Sequence, residues 1–216
     1  MSVLSIFPSY ELFVPFLVAG LVLNLTPGPD MTFVALCGAR GGRASGLAAA
    51  GGIFAGCLGH ILCAVVGLSA LIAASETAFA VVKWLGVAYL LFMAIQLLRD
   101  QGNPNVSSGR DAALHPRDAF RKAAIVNLLN PKVGVFFLAF LPQFVEPGTS
   151  SSWMQILVLG MVFNTTGLIV NAFAGLLGAA ASSKVAENHK VRRLTRGLAA
   201  TALGGLALRL ALTRNE

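Results

Sequence analysis

Two charged residues stand beside prolines in stretches that are otherwise apolar. Asp30 closes the run Asn24-Leu25-Thr26-Pro27-Gly28-Pro29-Asp30, and Lys132 closes Asn127-Leu128-Leu129-Asn130-Pro131-Lys132, about a hundred residues later. A carboxylate in such a place can titrate or hold an ammonium group, and a lysine can hold a carboxylate. Each is expensive in a bilayer: a charge at the centre of a membrane helix costs about 2.5–3.5 kcal/mol on insertion scales, so it is expected to face a cavity or a partner. Opposite signs at corresponding breaks suggest an Asp30–Lys132 ion pair with which a zwitterionic substrate could compete. Structural roles are the alternatives. Asp30 can N-cap the helix that restarts after the break, and Lys132, near Arg121 and Lys122, can snorkel to the cytoplasmic interface.

Proline removes a backbone donor and clashes with the preceding turn, freeing groups that lipid cannot satisfy. Pro27, Gly28, Pro29 and Pro131 therefore read as helix breaks, which would aim half-helix N-termini at an anionic group such as a carboxylate. Asn24, Thr26, Asn127 and Asn130 surround the breaks and can bond either the freed backbone or a substrate. Gln96, Asn164, Thr165, Thr166 and Asn171 could line the same cavity, although hydrogen bonding between helices is their ordinary use. His60 ends the row Ala48, Gly52, Gly56, His60, whose spacing of four reads first as close helix packing; a proton relay is the alternative, and a lone histidine is more often a packing residue than a site.

The elements that position these residues belong in a membrane. Of 216 residues, 56% are hydrophobic and 12% charged, with a mean hydropathy of +0.76, against about 25% charged in soluble domains. The net charge of +7 lies in loops, without the aromatic-interleaved basic stripe of a nucleic-acid binder. Cys37, Cys57 and Cys63 form no metal-ligand or disulfide pattern. The chain carries no phosphate-binding loop, nucleophile elbow or zinc-protease helix. It reads as no enzyme, with no catalytic residue, cofactor or metal. Residues 1–10 lack the features of a cleaved leader and are expected to be retained.

Apolar stretches of membrane-spanning length fall at about 12–37, 45–73, 79–98, 121–142, 153–181 and 195–212. Lys and Arg concentrate in the first, third and fifth loops, which places those loops in the cytoplasm and both termini outside. Three spans per half would give the halves opposite orientations. The expectation is an all-α membrane protein of six transmembrane helices, arranged as two inverted three-helix repeats with helices 1 and 4 broken by proline. Residues 1–98 would form the first repeat, 99–119 a cytoplasmic linker and 120–216 the second repeat.

On its motifs the chain resembles the lysine and homoserine exporter family of bacterial inner membranes, the LysE/RhtB type. The likeness is carried by Asn24 to Asp30, by Gly38-Ala39-Arg40-Gly41-Gly42-Arg43-Ala44-Ser45-Gly46-Leu47, and by Phe120-Arg121 leading into Asn127 to Lys132. The helix from Leu85 to Arg99 and the ending Gly204 to Leu210 add to it. The resemblance implies a six-helix inner-membrane exporter of amino acids or close derivatives, driven by proton antiport and working as a homodimer. Its partners would be an amino acid, protons and lipid. Asp30 is the single clear intramembrane acid and belongs to the shared motif, which favours a neutral or small polar amino acid. An uncoupled channel or facilitator, and a non-transporting membrane scaffold, are the rival readings.

Overall fold

Three helices start on a proline at their first position, where its missing N–H costs nothing. The computed structural model describes residues 7–68, 115–146 and 152–180, with scattered helical positions between 81 and 95 and between 201 and 212. Helix α1 spans Tyr10–Leu25. After Thr26-Pro27-Gly28, α2 runs over Pro29–Cys63 into a π-helical turn, Ala64–Leu68. Helix α3 spans Pro116–Leu128 and α4 spans Pro131–Val135, the latter continued by a π-helical turn, Phe136–Phe140, and a 3-10 turn, Leu141–Phe144. Helix α5 spans Ser152–Ala180.

Among the described residues the fold is entirely helical, and two helices, Pro29–Gly67 and Ser152–Ala180, are long and apolar enough to cross a membrane. The pair Pro116–Leu128 and Pro131–Phe144, bent by 46°, counts as a third if taken as one broken span. Most of the expected spans 79–98 and 195–212, and most of the 99–119 linker, lie outside the described residues, as does Gln96.

The loop expected around Arg40 and Arg43 is a single non-helical residue. Gly42 has φ 73° and ψ −173°, a conformation open to glycine alone, with helix on both sides. Four residues to either side, Gly38 and Gly46 both abut the carbonyl of Gly175. A straight helix would hold them about 12 Å apart, so the chain folds back at Gly42 into two arms, 29–41 and 43–63.

Close approaches of backbone fix the directions of the helices. Gly52 and Gly56 lie on the carbonyls of Phe120 and Ala124, so the arm 43–63 runs parallel to α3, and the row of small residues ending at His60 packs as its spacing indicates. Gly20 and Asn24 meet Phe163 and Gly167, which makes α1 parallel to α5. The arm 43–63 and α5 are antiparallel, joined by Asn164 Nδ2 donating to the Phe54 carbonyl at 3.2 Å. Such contacts suit helices in lipid, where small residues let backbones approach and side-chain amides bond across.

The main core is a run of phenylalanines, Phe16, Phe136, Phe137, Phe140, Phe144 and Phe163, with Phe136 stacked on Phe163 at 4.5 Å between ring centres. Val87 and Ala207 are buried in the same core. On α5 the exposed side includes Trp153, Leu157, Ile169, Phe173 and Leu177, while Gln155, Asn164 and Asn171 are buried. A helix apolar outside and polar inside has lipid as its surroundings.

Candidate functional site

A helical carbonyl is normally met by the N–H four residues on, so each breaking proline orphans one oxygen. Pro27 orphans the carbonyl of Leu23, and Pro131 that of Asn127. Both oxygens are met by side chains from elsewhere in the chain. Lys132 Nζ donates to the Leu23 oxygen at 3.2 Å and to that of Thr26 at 3.0 Å. His60 Nε2 donates to the Asn127 oxygen at 2.9 Å. Backbone groups of the tight turns share these acceptors, Thr26 N with Leu23 at 3.2 Å and Asn130 N with Asn127 at 2.9 Å.

Each break also places a polar group at the start of a half-helix. Asn130 caps α4, its Oδ1 accepting from Lys132 N at 3.0 Å. Gly28 caps α2, and Asp30 lies in the first turn. The N-cap role considered for Asp30 therefore falls to Gly28, and the Asp30 carboxylate instead takes the Asn127 amide, Nδ2 to Oδ2, at 2.8 Å. The helix dipole favours an acid there. A Cβ on Gly28 would lie 3.1 Å from Lys132 Nζ, so glycine leaves room for the ammonium group beside the break.

Lys132 and Asp30 thus take different partners rather than each other, and the expected ion pair is not made. Snorkelling is overturned as well: Lys132 is 6% exposed and its ammonium group points to the end of α1. There it meets the negative pole of a half-helix.

Asn24 turns away from the charged pair. Its Nδ2 donates to the Phe163 carbonyl and to Thr166 Oγ1 on α5, both at 3.1 Å. Thr26 Oγ1 donates to the Val22 carbonyl at 2.7 Å within its own last turn. Asn171 bonds the Gly167 carbonyl one turn back at 2.9 Å. Around the breaks the structure gathers Asp30 with Asn127, and Lys132 with Asn130 and the end of α1.

Four polar atoms in the described residues are buried and unpaired, and three of them belong to this group: Asp30 Oδ1, Asn127 Oδ1 and Asn130 Nδ2. Their residues are 7%, 2% and 2% exposed. Leaving such atoms unpaired costs about 1–3 kcal/mol each. Two are acceptors carried by a hydrogen-bonded pair, which suits an ammonium group. The third is an amide donor on the residue that caps the Lys132 backbone N–H, and the Lys132 ammonium group has three N–H bonds and two protein partners, so each can donate to a carboxylate. Among the described residues no cluster of His, Cys, Asp or Glu could hold a metal.

Comparison with known proteins fits this frame. The family model described as LysE type translocator matches residues 21–214, both breaks included. The chain belongs to that family. A protein of Vibrio cholerae described as an uncharacterized membrane protein is 36% identical to this translocator over 76% of the chain and 80% of its own length. The leucine efflux protein of Klebsiella pneumoniae is 28% identical over 92% of the chain and 94% of its own length. The homoserine/homoserine lactone efflux protein of Salmonella typhimurium is 31% identical over 75% and 78%. No solved structure matches the chain.

One residue of this translocator's breaks escaped the sequence reading. The four-residue spacing of small residues that ends at His60 points to packing, and its partner, the Asn127 carbonyl, lies 67 residues away. Pro131 gave half of the signal, since it shows that Asn127 needs a donor, but not which side chain supplies it.

Proposed function

We propose that the chain is a secondary-active exporter of amino acids or close derivatives across the bacterial cytoplasmic membrane, exchanging them for protons at the paired breaks. The observation that carries this is the set of three unpaired buried atoms there, acceptors on Asp30 and Asn127 and a donor on Asn130, with the Lys132 ammonium group beside the first break, where it donates to two carbonyls and has a third N–H. An α-amino acid presents an ammonium group to the first pair and a carboxylate to the second. Asp30 holds the ammonium group or takes the proton. The half-helix N-terminus at Gly28 and the positive charge of Lys132 attract the carboxylate. The efflux proteins named for leucine and for homoserine support a neutral amino acid. So does the use of the intramembrane acid for a group that every amino acid carries.

The architecture we assign is six helices in two inverted repeats, 1–98 and 120–216, joined by a cytoplasmic linker, 99–119. Crossed contacts support it. Pro27's orphaned carbonyl is met from the second half by Lys132, and Pro131's from the first half by His60. The half-helix α1 runs parallel to α5 just as α3 runs parallel to the arm 43–63. Orientation follows from charge: Arg40, Arg43, Arg117, Arg121 and Lys122 are all exposed, and the parallel packing of α3 puts its start toward the Gly42 bend. That end is cytoplasmic by the positive-inside rule. At the far end the N–H of Ser9 donates to Glu146 Oε1 at 2.9 Å, joining the start of α1 to the segment after the Leu141–Phe144 turn on the outer side. Alternating access then rocks one repeat against the other about the breaks.

The test is transport by the purified protein in proteoliposomes under an imposed proton gradient, with a screen of labelled amino acids. Uptake against a concentration gradient that collapses with the proton gradient supports exchange. Movement only down the gradient points to a facilitator, and no movement to a scaffold.

A further inference from the structure

His60 does at the second break what Lys132 does at the first. Each supplies a nitrogen donor from the other half of the chain to the one carbonyl that a proline has orphaned, at 2.9 Å for Asn127 and 3.2 Å for Leu23. Asn127 is gripped twice: its carbonyl by His60, and its side-chain amide by Asp30 Oδ2 at 2.8 Å. A carbonyl only accepts, so the Nε2 of His60 must carry the proton. The ring lies nearly parallel to that of Phe137, 6.1 Å between centres and 18° between planes, and Gly134 faces its Cε1–Nδ1 edge.

We infer that His60 is a positioning residue for substrate: by fixing the last turn of α3 it aims the Asn127 amide at Asp30, and so holds both unpaired acceptors, Asp30 Oδ1 and Asn127 Oδ1, toward one ammonium group. Without the imidazole, the Asn127 carbonyl keeps only the turn bond from Asn130 N at 2.9 Å, and the turn that sets the side chain's direction loosens. The role lies in ground-state geometry, so its loss falls on substrate affinity more than on turnover. This inference rests on the amino-acid site proposed above.

The experiment uses the full chain in proteoliposomes with labelled leucine and labelled homoserine, comparing His60→Leu, His60→Gln, Asn127→Ala, the double variant His60→Leu with Asn127→Ala, and Asp30→Asn. His60→Leu is expected to raise KM about five- to tenfold with kcat nearly unchanged, the size of one lost hydrogen bond. His60→Gln, which keeps a donor, is expected to stay within about threefold of the parent. In the Asn127→Ala background the His60→Leu change should add less than about twofold, because the residue it acts through has lost its amide. An unchanged KM in His60→Leu, or full additivity with Asn127→Ala, overturns the inference. Loss of pH dependence in His60→Gln also overturns it, since His60 would then carry the exchanged proton itself. If Asp30→Asn transports like the parent, the amino-acid site is what fails. Independently of transport, 15N NMR of the His60 imidazole should show a proton on Nε2, and the Nδ1–H tautomer would contradict the bond on which the inference stands.

Discussion

Lys132 Nζ lies 3.2 Å from the carbonyl oxygen of Leu23, the oxygen that Pro27 deprives of its helical donor. The proline break and the buried lysine are therefore one device: the first creates a demand for a donor and the second answers it. Lys132→Met keeps the length and volume of the side chain but leaves the carbonyls of Leu23 and Thr26 without their side-chain donor. It is expected to lower the stability of the purified protein by about 1–3 kcal/mol, seen as a reduced thermal midpoint in detergent. An unchanged midpoint would mean that the lysine does not cap α1.

Pro27→Ala reverses the logic. It restores an N–H that can reach Leu23, so α1 can continue through the break and the ammonium group of Lys132 loses an acceptor. Folded yield should hold or rise while transport falls at least tenfold. A scaffold with merely kinked helices would show a change in abundance and nothing else.

The Gly42 bend carries a cost that only glycine avoids. Gly42→Ala meets no neighbour, since nothing lies within 4 Å of the added Cβ, so its effect is that of the backbone alone, about 1–3 kcal/mol. Gly67→Ala also meets open space and lacks the positive φ, which makes it the control. Thermal unfolding of the two variants side by side separates conformational strain from loss of space.

The helix contacts that hold the site apart from lipid leave no room for a methyl group. A Cβ on Gly38 would strike the Gly175 carbonyl, and one on Gly52 the Phe120 carbonyl, whereas one on Gly51 would make ordinary contact with the Phe120 ring at 3.6 Å. Gly38→Ala and Gly52→Ala should reduce the folded fraction recovered from membranes, and Gly51→Ala should not. Size-exclusion profiles of the three variants give the comparison.

Sequence alone exposed the parts of this site that rest on local chemistry. Pro27 and Pro131 announce orphaned carbonyls wherever they stand in an apolar run, and Asp30 and Lys132 announce themselves by their desolvation cost. The closing of Asn130 over Lys132 N follows from its place one residue before proline. What could not be read is which distant groups meet. Opposite charges at matching breaks suggested a direct ion pair, yet Lys132 satisfies α1 and Asp30 satisfies Asn127. A backbone acceptor does not appear in a list of side chains. Arg40 and Arg43 likewise marked a turn between helices, and both are exposed, but a single glycine with positive φ makes it where a loop was expected. His60 was hidden for the same reason as the ion pair was expected: its partner is a carbonyl defined by a proline in the other half of the chain.

The most direct measurement is gradient-driven transport of labelled leucine and homoserine by the parent protein and by Asp30→Asn, in the same proteoliposomes and at matched amounts of inserted protein. An exporter that uses Asp30 for the ammonium group or the proton predicts uptake that depends on the proton gradient in the parent, and its loss in the variant with insertion unchanged. Equal gradient-driven uptake by both proteins would contradict the placement of the site at the paired breaks.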